Sequence, residues 1–210
     1  SSTSRGLGDV YKRQTEIIQI GTGKMTLKIE GLTGGYGNLT VLRDVSFTVP
    51  SGKIVGLIGL NGAGKSTTIK HIIGLLTPQA GTIDLDGTTL KQNPTDFRAN
   101  LAYVPETPVL YPELTLREHL EMTIMAYDLD AKAAWEAADR MLKKFRLDNK
   151  LDWFPAKFSK GMQQKVMIVA AFMTHAKLFI IDEPFTGLDP LAIHDLLNSV
   201  SYTHLRAHET

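Results

Sequence analysis

The chain has 210 residues, with 23 Lys and Arg against 22 Asp and Glu, and a formal net charge of +1 at pH 7. This balance gives no electrostatic reason to expect a nucleic-acid partner. The absence of cysteine excludes disulfides and thiolate metal sites, and the longest apolar stretches fall short of the ~20 residues that span a bilayer. We therefore expect one globular domain whose membrane association, if any, comes through a partner.

The two ends of the chain are predicted to be foreign to this domain. When Ser4 to Gln14 is back-translated, the reverse complement of that DNA string encodes Ser199 to Glu209. The string resembles a sequencing-library transposon adapter, so we interpret residues 1–14 and 199–210 as non-native tails.

The natural domain is expected to cover residues 25–198. Residues 15–24 show no motif or periodicity, which indicates translated upstream DNA or a disordered segment, and Met25 is a candidate start. The domain is expected to be truncated at its C-terminal end.

The first elements in chain order are predicted to be strands. Leu27 to Leu32 and Val45 to Val49 alternate apolar and polar residues, and Ile54 to Ile58 is a continuous apolar run typical of a buried parallel strand. After a glycine-rich loop, Thr67 to Leu76 is predicted to form a helix and Thr82 to Leu85 a strand.

The pattern then becomes helical, over a predicted insert of about residues 93–175. Thr115 to Glu118 forms a capping-box start for a helix ending at Tyr127, and helices are predicted over Ala131 to Phe145 and Met162 to Ala176. Leu178 to Ile181 is predicted to be a second buried strand.

The glycine-rich loop has the spacing G-x-x-x-x-G-K-S between a predicted strand and a predicted helix. Glycines allow backbone geometries in which consecutive N–H groups converge on phosphate oxygens at a helix N-terminus. Lys65 is expected to reach the β and γ phosphates of ATP, and the Ser66 hydroxyl to ligate Mg²⁺. The alternative is a glycine-rich turn that caps a helix and binds nothing. The predicted ATP-binding residues of the loop are Gly59, Leu60, Asn61, Gly62, Ala63, Gly64, Lys65, Ser66 and Thr67.

Two acidic residues follow the second buried strand. Asp182 and Glu183 are delivered to the carboxyl end of a strand, where open α/β sheets bind ligands. We expect Asp182 to hold Mg²⁺ and Glu183 to orient or deprotonate the attacking water. The alternative is a strand that simply ends at solvent.

Phe158 to Gln164, with the helix after it, resembles the signature of ABC ATPases in a Ser-Lys-Gly-Met-Gln variant. Thr186 to Asp189 is similar to the D-loop of that family, and Tyr36 lies where the family has an aromatic residue that stacks on adenine. The resemblance implies an α/β fold: a P-loop NTPase core with a mixed or parallel sheet, an antiparallel β subdomain and a helical ABC-specific insert.

Within the family, Pro105 to Tyr111 and Trp153 to Ala156 most resemble the ATPase subunits of bacterial Ecs-type exporters. That resemblance implies an integral membrane permease as partner and a position on the cytoplasmic face of the plasma membrane. It also implies two ATPase domains that meet head to tail and contact ATP in trans, for which the matching residues are Ser159, Gly161, Gln163 and Asp189. For Ser159 the alternative is a plain helix cap.

Two features depart from the family pattern. Glu106 stands where most members have glutamine, which adds a carboxylate able to bind Mg²⁺ beside Asp182 and Glu183. The family's switch histidine has no counterpart here, since His204 lies too soon after Asp182 and inside the predicted tail. Two other functions stay open. One is a soluble ABC protein acting on ribosomes, and the other is a fragment that binds ATP without hydrolysing it.

The remaining candidates are given structural roles. The histidines have no metal-ligand spacing, so we predict structural or exposed positions for His71, His119, His175 and His194. An apolar group beside Glu106 is either core or a socket for a helix of the membrane subunit, and we favour the socket. Its members are Val109, Leu110, Tyr111 and Leu114.

Overall fold

The computed structural model describes residues 17–19, 25–53, 55–60, 62–174 and 176–182. The strands are β1 (Ile17–Gln19), β2 (Leu27–Tyr36), β3 (Leu39–Val49), β4 (Ala80–Leu85), β5 (Thr88–Thr89), β6 (Leu101–Val104) and β7 (Leu178–Asp182). The α-helices are α1 (Lys65–Ile72), α2 (Pro94–Ala99), α3 (Leu116–Ala126), α4 (Ala131–Phe145) and α5 (Lys160–Met173). Short 3₁₀ turns cover Asp148–Lys150 and Pro155–Lys157.

The strands form two sheets in the described part of the chain. One is antiparallel, in the order β3-β2-β4-β5, and the other is mixed, in the order β1-β7-β6. In the mixed sheet β6 and β7 are parallel, whereas β1 runs antiparallel to β7. The predicted α/β fold, with its mixed core sheet and antiparallel subdomain, is confirmed.

The mixed sheet separates two hydrophobic cores. Ala102, Val104, Phe179 and Ile181 point into a core shared with α3, α4 and α5, whereas their neighbours Leu101, Leu178 and Ile180 point into a core shared with α1 and the antiparallel sheet. Successive side chains on a strand point to opposite faces, so a strand covered on both faces is apolar throughout. This explains the continuous apolar run that predicted β7.

The predicted helix starts are reproduced closely. Thr115 caps α3 in a reciprocal capping box, since its backbone N–H donates to Glu118 Oε2 at 2.6 Å and the Glu118 N–H donates to Thr115 Oγ1 at 3.3 Å. Helix α4 covers the predicted residues, and the Asp130 side chain accepts from the N–H of Ala133 at its start.

None of the helices within the described ranges has the length and apolar character that crossing a bilayer requires.

The strand predicted over Ile54 to Ile58 is wrong. Residues 55–60 lie in no strand, Ile58 is 59% exposed, and Ile54 falls outside the described residues. A strand offers only two pairing edges, and β6 and β1 occupy both edges of β7. The apolar run therefore has no edge of β7 to join.

A strand also interrupts the predicted helical stretch. Leu101–Val104 forms β6, in parallel register with β7. Periodicity cannot separate a buried four-residue strand from a helical turn, because both read as a short apolar run.

Candidate nucleotide-binding site

The phosphate loop ends in a glycine that its geometry requires. Gly64 precedes α1 with φ of 88°, and a Cβ built on it would lie 2.5 Å from Leu42 Cδ2. Within the described chain, no side chain caps the N-terminus of α1. The N–H groups of the first turn therefore remain available to an anion, at the end of the helix where the dipole favours negative charge.

Lys65 is buried and folded back over this loop. Its ammonium group donates to the carbonyl oxygens of Gly59 and Leu60, the latter at 2.8 Å. The loop is closed further by a bond of 3.0 Å from the N–H of Ala63 to the Leu60 carbonyl. The lysine thus already lies at the loop that is predicted to hold the phosphates.

Tyr36 lies beside α1 and is 44% exposed. Lys70 on α1 donates to its hydroxyl at 3.0 Å, and that bond, followed by one from Thr67, lowers the pKa of Tyr36. The predicted adenine platform is therefore an accessible ring held next to the first turn of the helix after the phosphate loop.

The acidic residues gather at one edge of the mixed sheet. Because β6 and β7 are parallel, Glu106, just after β6, and Asp182, at the end of β7, lie at the same edge. Both carboxylates contribute to the raised pKa of Tyr103. Burial raises the pKa of Tyr103 to about 12, with further contributions from the charge of Asp182, from a hydrogen bond to Asp182 and from the charge of Glu106.

The donor set at this edge fits Mg²⁺ bound together with a nucleotide. Among the described residues no group of three or more His, Asp or Glu side chains could hold a metal. Magnesium is usually held by one or two carboxylates together with substrate phosphates and waters. Asp182 and Glu106 are hard oxygen donors of this kind at the edge, and the predicted third donor, the Ser66 hydroxyl, lies in the first turn of α1.

The segment from Pro105 to Tyr111 is anchored to α3 and α5. Gln164 Nε2 donates to the Pro105 carbonyl at 3.0 Å, the Val109 N–H to Met167 Sδ at 3.2 Å, and the Tyr111 N–H to His119 Nε2 at 2.9 Å. Sequence analysis did not predict these three bonds. Gln164 and Met167 lie 59 and 58 residues along the chain from their partners, and His119, eight residues after Tyr111, was expected only to be structural or exposed.

The apolar group on this segment is only partly exposed. Val109 is 73% and Tyr111 56% exposed, whereas Leu110 and Leu114 are half-buried. A cavity of about 170 Å³ lies beside Val109 and Leu110, between α3 and α5.

The signature residues begin α5. Ser159 is exposed and caps the helix by accepting from the N–H of Met162 at 3.3 Å, and Gly161 is half-buried. The side-chain amide of Gln163 donates to the Pro155 carbonyl at 2.9 Å within the same chain.

The predicted structural histidines are buried where the structure describes them. The Nδ1 of His71 bonds to the Leu76 carbonyl at 3.1 Å, and burial lowers the pKa of His71. His119 bonds through Nδ1 to the Thr115 carbonyl at 2.8 Å, in addition to accepting from Tyr111.

Several predicted residues lie outside the described ranges. They are Asn61 of the phosphate loop, His175, Glu183, the D-loop segment from Thr186 to Asp189, His194 and His204.

Comparison with known proteins is consistent with this geometry. Residues 42–186 match the family model described as ABC transporter. The chain is 57% identical over 175 residues to the ABC-type transporter ATP-binding protein EcsA of Bacillus subtilis (strain 168), covering 83% of this chain and 71% of that protein. It is 36% identical to the Nod factor export ATP-binding protein I of Burkholderia lata, covering 76% of this chain and 52% of that protein.

A solved structure described as the ATP binding subunit of an ABC transporter superposes with a TM-score of 0.79 at 51% identity, covering 86% of this chain and 75% of that one. The resemblance to ABC ATPases of the Ecs type, inferred from the signature and from Pro105 to Tyr111, is confirmed.

Proposed function

Because this chain belongs to the ABC transporter family, as an ATP-binding domain, we propose that it hydrolyses Mg²⁺-ATP to drive export through a bacterial membrane subunit. The domain responsible is residues 25–198. The observation that carries the proposal is the N-terminus of α1, which no described side chain caps. Gly64 directly precedes this helix and has a left-handed backbone conformation. That arrangement suits a phosphate group.

The nucleotide is held by two parts of the chain, the phosphate loop and Tyr36. The backbone N–H groups of Gly59 to Thr67 surround the phosphates, and Lys65 exchanges its bonds to the loop carbonyls for bonds to the β and γ phosphates. Adenine stacks on Tyr36, whose exposed ring lies beside the same helix.

Metal binding and activation of the attacking water are assigned mainly to residues at the edge of the mixed sheet. Ser66, Asp182 and Glu106 are the residues that would hold Mg²⁺. When bound, the ion neutralises charge that develops on the phosphate oxygens. Glu183 orients the attacking water and accepts its proton.

A titration of ATP affinity, followed by ATPase assays, tests this proposal. We expect Lys65→Ala to weaken ATP binding by about 10- to 100-fold, since a charge-assisted hydrogen bond contributes ~1.5–3 kcal/mol. Lys132→Ala, an exposed lysine on α4, is the control. Glu183→Gln should bind ATP normally and hydrolyse it at least 100-fold more slowly, because it lacks the base. Normal hydrolysis by Glu183→Gln would remove Glu183 from the mechanism.

The second partner is another copy of the domain, which supplies Ser159, Gly161, Gln163 and Asp189 to the first copy's ATP. Exposure of Ser159 at the start of α5 supports this role. We expect Glu183→Gln to dimerise when ATP is added, because hydrolysis no longer separates the copies. Adding Ser159→Arg should abolish the dimer and leave ATP binding by the monomer intact. A dimer that survives Ser159→Arg would contradict the head-to-tail arrangement.

The membrane subunit is proposed to dock on the anchored segment around Val109 and Tyr111. Both side chains are exposed, and Val109 lines a cavity, although the backbone N–H groups of the two residues are bonded to α5 and α3. A rigid segment with exposed apolar side chains suits a short helix of the permease. We expect Val109→Asp to prevent co-purification with a co-expressed permease. Leu39→Asp, at a leucine of comparable exposure on the antiparallel sheet, should not.

A further inference from the structure

Tyr103 and Asp182 lie on the same face of the mixed sheet. In the parallel register Tyr103 is paired with Ile180, and Asp182 follows Ile180 by two residues. Registered neighbours, and residues two apart on one strand, point to the same face. The face is the one covered by α1, since Leu101, Leu178 and Ile180 share a core with Ile69 and Ile72 of that helix.

The tyrosine side chain joins this core to the acidic edge. Its body packs against the core beneath α1, and its hydroxyl reaches the Asp182 carboxylate. A tyrosine hydroxyl carries its proton at neutral pH, because the ordinary pKa of a phenol is about 10. The hydroxyl is thus the donor in this bond, and the carboxylate is the acceptor.

We propose that Tyr103 is a positioning residue: by donating to one oxygen of the Asp182 carboxylate, it holds the other oxygen toward the Mg²⁺ of the bound nucleotide. The inference rests on the proposed function, because it concerns the same metal. A carboxylate with one oxygen fixed by a donor loses less rotational freedom when the metal binds. Loss of such an outer partner typically lowers metal affinity 10- to 100-fold.

The test uses Tyr103→Phe, which removes only the hydroxyl. ATP affinity of the full chain is measured by fluorescence titration with Mg²⁺ and again with EDTA, and Mn²⁺ binding to the ATP complex is measured by electron paramagnetic resonance. We expect Tyr103→Phe to bind Mn²⁺ about tenfold more weakly. The gain in ATP affinity that Mg²⁺ provides should shrink, and ATP affinity in EDTA should not change.

Tyr127→Phe is the matched control. Its hydroxyl is also directed at β6, at 3.5 Å from the Leu101 carbonyl, but contacts no proposed metal ligand. Asp182→Asn provides the reference for complete loss of the ligand. Thermal unfolding of each variant verifies that it is folded.

Three results would overturn the role of Tyr103. Equal Mn²⁺ affinity in wild type and Tyr103→Phe would show that the hydroxyl does not position the ligand. An equal loss of ATP affinity with and without metal would indicate general damage to the fold. If Mg²⁺ does not alter the ATP affinity of the wild type, the role of the metal in the proposed function is wrong as well. This outcome differs from the first one, in which the wild type binds the metal but Tyr103 does not position its ligand.

Discussion

The side-chain amide of Gln164 donates a hydrogen bond of 3.0 Å to the carbonyl oxygen of Pro105. It therefore connects the helix that begins at the signature serine to the residue directly before Glu106. We expect a shift of α5 to reach the acidic edge through this bond, and the exposed apolar segment through the bond from the Val109 N–H to Met167.

Gln164→Leu should loosen the anchored segment without unfolding the domain. The Oε1 of Gln164 is buried without a partner among the described residues, so leucine removes an unsatisfied atom as well as a donor. We expect the free energy of unfolding to change by no more than about 1 kcal/mol. Hydrogen exchange at the Val109 and Tyr111 amides should accelerate severalfold. Gln163→Leu, which affects only the bond to Pro155, should leave those amides unchanged.

Tyr36→Ala should lower ATP affinity about tenfold, because stacking of a base on an aromatic ring contributes ~1–3 kcal/mol. Tyr36→Phe keeps the ring and should retain most of the affinity, although Lys70 loses its acceptor. Titration with inorganic triphosphate provides the decisive comparison. If Tyr36→Ala weakens triphosphate binding as much as ATP binding, the ring does not contact the base.

His71 should make the fold sensitive to acid. Its folded pKa lies below the unfolded value of 6.5, so the unfolded chain takes up the proton first as the pH falls. The stabilisation is complete above about pH 6.5 and is lost as the pH falls toward the lowered pKa. We expect the Tm to fall between pH 7 and pH 5, and to fall less steeply in His71→Asn. Asparagine keeps an N–H near the Nδ1 position, at a packing cost of about 1–3 kcal/mol.

That packing cost has a visible cause. A Cβ built on Gly34 would lie 2.6 Å from His71 Nε2, so the imidazole fills the space that glycine leaves on β2. If the Tm of the wild type and that of His71→Asn fall with the same slope as the pH is lowered, another group causes the acid sensitivity.

Deletion of residues 1–24 should change the pairing of the mixed sheet. The deletion removes Ile17–Gln19 from its edge of β7 and exposes unpaired backbone groups there. We expect residues 54–58, whose sequence favours a parallel strand, to occupy that edge. Amide exchange over 55–58 should then slow at least tenfold. Unchanged exchange would show that β1 is not what keeps this run out of the sheet.

The sequence predicted the elements that local rules determine. The capping box at Thr115, the span of α4 and the apolar run of β7 are each encoded within a few residues. By contrast, the Ile54 to Ile58 prediction failed because pairing depends on which edges are already occupied, and β6 was missed because four residues carry too little periodicity. The same limit applies to Tyr103 and Gln164, whose partners are far away in the chain and only meet through the fold.

Lys65 has a further consequence for how the site is filled. Its ammonium group already donates to the carbonyl oxygens of Gly59 and Leu60, so in the proposed function an arriving triphosphate displaces these acceptors. Nucleotide entry is accordingly an exchange of partners around one cation. The favourable enthalpy of the bonds from the ammonium group to the phosphates is offset by the loss of its bonds to the loop carbonyls. The buried ammonium group has hydrogen-bond acceptors both before and after the exchange.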